Sequence, residues 1–184
     1  MMKLLYPILF LFSFVVQAAE TNSYTFFQNQ LAINLPTELK QLSQSVLHKR
    51  YGKQKTPPAF AFSNKEQNVS FTFTQYQTPA DTKSMNKIHK SISNMLRKAS
   101  GKAKWKKDKV YSRLGTKIAV YEYEIKTVGK YQYTITYALP INGLLTFISF
   151  VTTDNKYKKK WINVARDSMN TIQLSVAENL EQYK

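Results

Sequence analysis

The sequence predicts an α+β fold in which an antiparallel β-sheet is covered by helices on both faces, and three observations carry that expectation. Residues 117–152 read as three strands in close succession, and the last turn between them, Asn142-Gly143, is the strongest short hairpin signal in the chain. A long amphipathic helix is written upstream, between Asp81 and Ser100. The third strand, Leu144–Thr152 (LLTFISFVT), is apolar on both sides. A sheet wet on one side alternates cleanly, so both faces of this one are expected to be covered.

The chain opens with an export signature. Lys3 supplies one positive charge, Leu4–Val16 carries none, and Gln17-Ala18-Ala19 follows. A basic start, a short apolar run and small residues at its exit form a cleavable signal peptide. Cleavage after Ala18 places Val16 and Ala18 at the two small-residue positions, giving a leader over 1–18 and one domain over 19–184. A membrane-spanning helix needs about 20 apolar residues, more than this run offers. The chain has no cysteine, which excludes disulfides, thiolate nucleophiles and thiolate metal sites. Stability must come from the core, and a domain of this size buries about 70% of its unfolded surface.

The elements then follow in order. Ser23–Gln28 and Leu31–Leu35 read as short strands, the second stopped by Pro36. Leu39, Leu42, Val46 and Leu47 have helical spacing and predict a short helix over 37–49. Tyr51–Pro58 is a loop by its glycine and paired prolines. Ala59–Phe62 and Val69–Tyr76 flank the polar turn Ser63–Asn68 and read as a hairpin. Asp81 or Thr82 caps the long helix and Gly101 ends it. Met85, Ile88, Ile92, Met95, Leu96 and Ala99 form its apolar face.

With a two-residue turn at Asn142-Gly143, Ile135 and Tyr137 share a face with Ile148 and Phe150, while Leu145, Phe147 and Val151 point the other way. Asp154 caps a final helix carrying Tyr157, Trp161, Val164, Ala165 and Ser168, whose end passes into a strand (TIQLSV). The tail over 177–184 is polar and expected to fray. Two amphipathic helices interrupt the strands, which argues against a transmembrane barrel.

Charge narrows the partner. Lysine and arginine number 27 against 11 aspartate and glutamate, and losing Lys3 with the leader takes the net charge from +16 to about +15. Such an excess attracts polyanions at long range. Beyond the cytoplasm these are lipid head groups, lipopolysaccharide, wall polymers and acidic proteins, and nucleic acid is disfavoured.

Two segments concentrate the lysines. The first runs from Lys102 to Lys109 and includes Lys104, Trp105, Lys106 and Lys107. A tryptophan among lysines suits a head group or sugar, with the ring lying flat and the ammonium groups meeting phosphate. The same run also reads as a solvated loop anchored by an inward tryptophan. The second holds Lys156, Lys158, Lys159 and Lys160, in the first turns of the final helix. Cations there oppose the helix dipole, a local conflict that a bound anion would reverse. Solubility alone is the other explanation. Trp161 is expected in the core.

Catalytic signals are sparse. His48 and His89 have no partner at metal-ligand spacing, so neither a metal nor a cofactor is expected. Glu122 and Glu124 share a strand face about 7 Å apart, a separation compatible with a glycosidase pair. They also read simply as the wetter part of that strand. No His-Glu-x-x-His, Gly-x-Ser-x-Gly or phosphate-cradling glycine loop is present.

The order of these elements resembles the PsbP-like superfamily. The resemblance runs from about Tyr24 to Leu174: a first strand ending at Leu35-Pro36, a hairpin leading to a helix, and the Lys/Trp segment ahead of a strand–Gly115–strand unit. An Asn-Gly hairpin and a Trp161 helix ending in Ser168–Ile172 complete it. That superfamily includes photosystem accessory proteins, the Ran-binding Mog protein and bacterial DcrB-like envelope proteins. The resemblance implies an α/β/α sandwich and an accessory, adaptor or binding role without catalysis. Bacterial members are often lipoproteins, and the absence of cysteine departs from that pattern. The expectation is an exported, non-catalytic binding protein of the bacterial envelope that meets an anionic partner through its lysines. The alternatives are an immunity or inhibitor protein against an acidic secreted toxin, and a hydrolase using Glu122 and Glu124.

Overall fold

The computed structural model describes residues 20–175; the expected leader over 1–18 and the tail over 177–184 lie outside the described residues. Strands β1 (Thr21–Phe26) and β2 (Leu31–Pro36) form a hairpin, followed by β3 (Lys40–Gln41), helix α1 (Gln44–Tyr51), β4 (Phe60–Ser63) and β5 (Val69–Pro79). Helix α2 (Met85–Ser100) leads to β6 (Lys104–Arg113), β7 (Thr116–Thr127), β8 (Lys130–Ile141) and β9 (Leu144–Thr152). Helix α3 (Lys158–Asn170) and β10 (Gln173–Leu174) complete the described chain.

A seven-stranded antiparallel sheet, in the order β3-β4-β5-β9-β8-β7-β6, is the centre of the fold. Its meander follows from turn chemistry. Asn142 and Gly143 both take positive φ (53° and 73°) and Ile141 pairs with Leu144, so the turn is two residues long, as the Asn-Gly pair dictates. In that register Ile135 faces Phe150 and Tyr137 faces Ile148.

Both faces of the sheet are covered, as the doubly apolar β9 requires. On one side Ile118, Val120, Ile135, Ile148 and Phe150 pack with Trp161, Ala165 and Met169 of α3. On the other, Ala119, Tyr121, Ala138 and Leu145 meet Met85 and Ile92 of α2. Alternate residues of β7 and β8 thus serve two different cores. No helix of the described residues is long and apolar enough to cross a membrane.

The first two strands, read from sequence as short strands, form a separate three-stranded sheet with β10. Phe26, Leu31, Ile33 and Leu35 join the α3-side core, with the Phe26 and Phe73 rings 4.2 Å apart, so the hairpin lies on the large sheet. The helix expected over 37–49 begins only at Gln44. Lys40 and Gln41 pair with Ser63 and Phe62, Leu42 donates its amide to Ala61, and the Ser43 hydroxyl caps the shorter helix.

On α2, Met95 is exposed, while Ser93 is buried and hydrogen-bonded to Asp108. Finally, the Lys102–Lys109 run is no loop. It forms most of β6, the long free edge of the large sheet, whose other edge, β3, is only two residues long. Lysines and a bulge on an edge strand block pairing with another copy, and β6 carries both.

Candidate anion-binding site

The bulge in β6 decides where its charges go. Trp105 pairs with Tyr123 and Lys107 with Glu122, leaving Lys106 as the extra residue. Trp105 and Asp108 therefore face α2, and the adjacent Lys106 and Lys107 both belong to the α3 side. There, α3 and the end of the sheet enclose a groove of about 490 Å³. Lys106 enters it from β6, Glu124 from β7, and Tyr131 and Tyr133 from β8. Helix α3 contributes Lys158, Lys159, Ile162, Asn163 and Arg166, one stripe at helical spacing. The opposite stripe of α3, Trp161, Ala165, Ser168 and Met169, is buried.

Glu122 lies beside this groove and is 1% exposed. It accepts hydrogen bonds from the Tyr133 hydroxyl and from Arg166 Nη2, each at 2.5 Å, and Lys107 Nζ stands 3.6 Å away. Burial opposes its charge, but the two hydrogen bonds and the charges of Arg166 and Lys107 outweigh that and hold its pKa below the usual carboxylate value. Glu122 is thus not the wet part of a strand, as its alternation with tyrosine had implied. A general acid in glycoside hydrolysis needs a raised pKa, and Glu122 is shifted the other way.

Tyr131 is the unsatisfied group of the site. The residue is 8% exposed, and its hydroxyl is buried without a hydrogen-bond partner among the described residues. A buried hydroxyl left unpaired costs about 1–3 kcal/mol. Burial and the Glu124 charge push its pKa up to about 12, so the hydroxyl keeps its proton and is a donor at neutral pH.

The lysines at the start of α3 are partly compensated. Asp154 does not cap the helix as expected: its Oδ1 accepts the Tyr157 amide at 2.9 Å in the preceding turn, and Tyr157 is the N-cap of α3, without a side-chain capping bond. Lys156, Lys158 and Lys160 lie over the rings of Tyr157, Tyr131 and Trp161, at 4.9, 5.1 and 4.9 Å from their centroids. Lys160 also pairs with Glu38 at 2.9 Å, and Lys158 stands 4.0 Å from Glu124. Among the described residues, Lys106 and Lys159 make no ion pair.

The nine residues singled out from sequence therefore divide. Lys106, Lys158 and Lys159 come together in the groove, although about fifty residues separate their segments. Lys107 joins Glu122 and borders a smaller hollow of about 310 Å³ with Tyr111, Arg113 and Tyr137. Lys156 and Lys160 line a third hollow with Asp154, Glu66 and Trp161. Lys102 is exposed and Lys104 stands opposite Glu124 in register. Trp105 is on the α2 side, 4.4 Å beneath the Arg97 guanidinium and 4.9 Å from the Tyr123 ring, so it anchors β6 to α2. Sequence reasoning missed Arg166, Tyr131, Tyr133 and Asn163. The repeat of Lys158, Lys159, Ile162, Asn163 and Arg166 on one helix face was the available signal.

His89 is partly buried on α2. It stacks on Tyr121, with centroids 5.4 Å apart, and its Nε2 lies 2.8 Å from Asp108 Oδ1. Ser93 and Arg97, each one helical turn further on, donate to Asp108 Oδ2. Asp108 thus ties three turns of α2 to β6. No group of three or more histidine, cysteine or acidic residues among the described residues is arranged to hold a metal.

The same architecture recurs in solved structures. The solution structure of cyanobacterial PsbP (CyanoP) from Synechocystis sp. PCC 6803 matches with a TM-score of 0.60 at 10% identity, over 88% of this chain and 96% of that one. This chain has a PsbP-like fold. A crystal structure from Bacteroides thetaiotaomicron VPI-5482 matches with a TM-score of 0.51 at 10% identity, over 84% of this chain but only 48% of the other, so this chain spans about half of that protein. LpqN, involved in cell envelope biogenesis of Mycobacterium tuberculosis, gives a TM-score of 0.46 at 9% identity, over 85% of this chain and 91% of that one. No known family and no curated protein matches the sequence. The PsbP-like likeness is one of architecture alone.

Proposed function

We propose that this chain is an exported, non-catalytic binding protein of the bacterial envelope, and that the groove between α3 and the sheet holds an anionic group of its partner. One observation carries the reading: Lys106 from the sheet edge and Lys158, Lys159 and Arg166 from α3 converge on one groove. Tyr131 lines the same groove, and its hydroxyl is a buried donor without an acceptor among the described residues. Concentrating like charge around a concavity costs repulsion, which an anion relieves. The leader written into 1–18 supplies the compartment, where anionic lipids and wall polymers are the abundant partners.

Inorganic phosphate is a suitable first probe, followed by amide NMR at constant ionic strength. Phosphate should shift the amides of Lys106, Lys159 and Asn163. The triple variant Lys106→Gln, Lys158→Gln, Lys159→Gln should lose at least about tenfold in affinity, ~1.4 kcal/mol. Lys53→Gln, Lys83→Gln, Lys160→Gln, an equal loss of charge elsewhere, should bind nearly as the parent does. Equal losses in the two triples would mean that net charge, and not the groove, does the binding.

A further inference from the structure

We infer that the group held in this groove is a sugar carrying a phosphate, an inference that rests on the groove being the binding site. A plain anion site would exclude one residue of this groove. Glu124 projects into the same groove as Lys106, Lys159 and Arg166, with a side chain 19% exposed and its paired cation, Lys158, as far as 4.0 Å away. A carboxylate only accepts hydrogen bonds. Toward bare phosphate or a chain of phosphates it is purely repulsive, and specific sites reject wrong ligands by such repulsion. Toward a sugar it is an asset, because hydroxyls donate to it.

The rest of the lining fits the same ligand. Lys106 and Lys159 come from opposite walls and are free of ion pairs among the described residues, so they can close on a phosphate from both sides. Asn163 offers both a donor and an acceptor for ring hydroxyls. Ile162 supplies an apolar surface against which the C–H face of a sugar can lie. Tyr131 lines the groove, and its buried hydroxyl has a proton to give and no acceptor among the described residues. A groove of about 490 Å³ lies in the lower part of the range for small-molecule sites, roughly 300–1,000 Å³.

The test turns on opposite signs for one substitution. Glucose 6-phosphate, inorganic phosphate and glucose are titrated against the parent protein and Glu124→Gln, with groove amides as the readout and the thermal midpoint as a check on folding. The parent should bind glucose 6-phosphate about tenfold more tightly than phosphate, and glucose most weakly. Glu124→Gln should weaken glucose 6-phosphate about tenfold, since it removes a charged acceptor, while tightening phosphate by relieving repulsion. Phosphatidylcholine vesicles containing monophosphoryl lipid A distinguish the source. The same Glu124 dependence on vesicles assigns the sugar phosphate to a membrane glycolipid, and the dependence in the soluble arm alone assigns it to a free or polymer-borne one. If Glu124→Gln tightens both soluble anions, the sugar inference is overturned and the anion groove stands. If neither anion perturbs the groove, the groove itself is not the site.

Discussion

Arg166 reaches 2.5 Å to Glu122, joining a surface helix to a carboxylate buried on β7, the strand next to the free edge of the sheet. The guanidinium is 43% exposed and the carboxylate 1%, so the two partners have unequal stakes. Arg166 can return to water when the pair breaks, and Glu122 cannot. Arg166→Leu should therefore cost about 3 kcal/mol, the lower end of the range for stripping a buried charge of its partner, because Tyr133 and Lys107 remain. Urea unfolding checks the value, and the thermal midpoint should fall by roughly 6–12 °C. Lys107→Gln, which removes a longer and more exposed contact, should cost less than about 1 kcal/mol.

Acid should weaken the fold through two carboxylates. Burial disfavours the charged form of Asp108, but the hydrogen bonds from Ser93, Arg97 and His89 lower its pKa on balance, and Glu122 is lowered in the same way. Unfolded, the two groups titrate near their ordinary values, about 3.9 and 4.3. Their stabilisation is complete above those values and is lost as pH falls through the lower folded ones, because the unfolded chain then binds more protons. Melts at successive pH values below about 5 should show a declining midpoint in the parent. The Asp108→Asn, Glu122→Gln double variant should be less stable at neutral pH and show a flatter decline. An unchanged slope would mean that these two sites do not govern acid sensitivity.

Gly143 sits at φ +73° in the turn between β8 and β9 with nothing within 4 Å of where a Cβ would be. Gly143→Ala thus meets no steric neighbour and tests backbone conformation alone. It should cost about 1–2 kcal/mol, read as a lower urea midpoint with an unchanged slope.

The free edge of β6 should be held apart from other copies by its lysines. Replacing Lys104, Lys106 and Lys109 with valine keeps strand propensity and removes the charge. Light scattering coupled to size exclusion should then show association at concentrations where the parent is monodisperse. A monodisperse variant would leave those lysines without a protective role.

Much of the large sheet was legible because its signals are local. Asn142-Gly143 set the pairing of Ile135 with Phe150 and Tyr137 with Ile148, and the doubly apolar β9 announced two cores. The spacing of Met85, Ile88 and Ile92 gave α2 its inner face. What failed depended on partners remote in sequence. Leu39 and Leu42 have helical spacing with Val46 and Leu47, yet the pairing of Lys40 and Gln41 with β4 holds that stretch out of the helix. Of the site, the two lysine segments were visible and their meeting was not, since it requires β6 to lie beside α3. Glu122 read as wet because its partners stand 11 and 44 residues away.

Along Trp105-Lys106-Lys107-Asp108 a regular strand would have sent Trp105 and Lys107 to one side and Lys106 and Asp108 to the other. The aspartate that ties down α2 would then face the wrong layer, and Lys107 would leave Glu122. Deleting the Lys106 codon should instead regularise the pairing, keeping Trp105 and Asp108 toward α2 and Lys107 beside Glu122, so that the groove loses its sheet-edge ammonium while the two faces keep their chemistry.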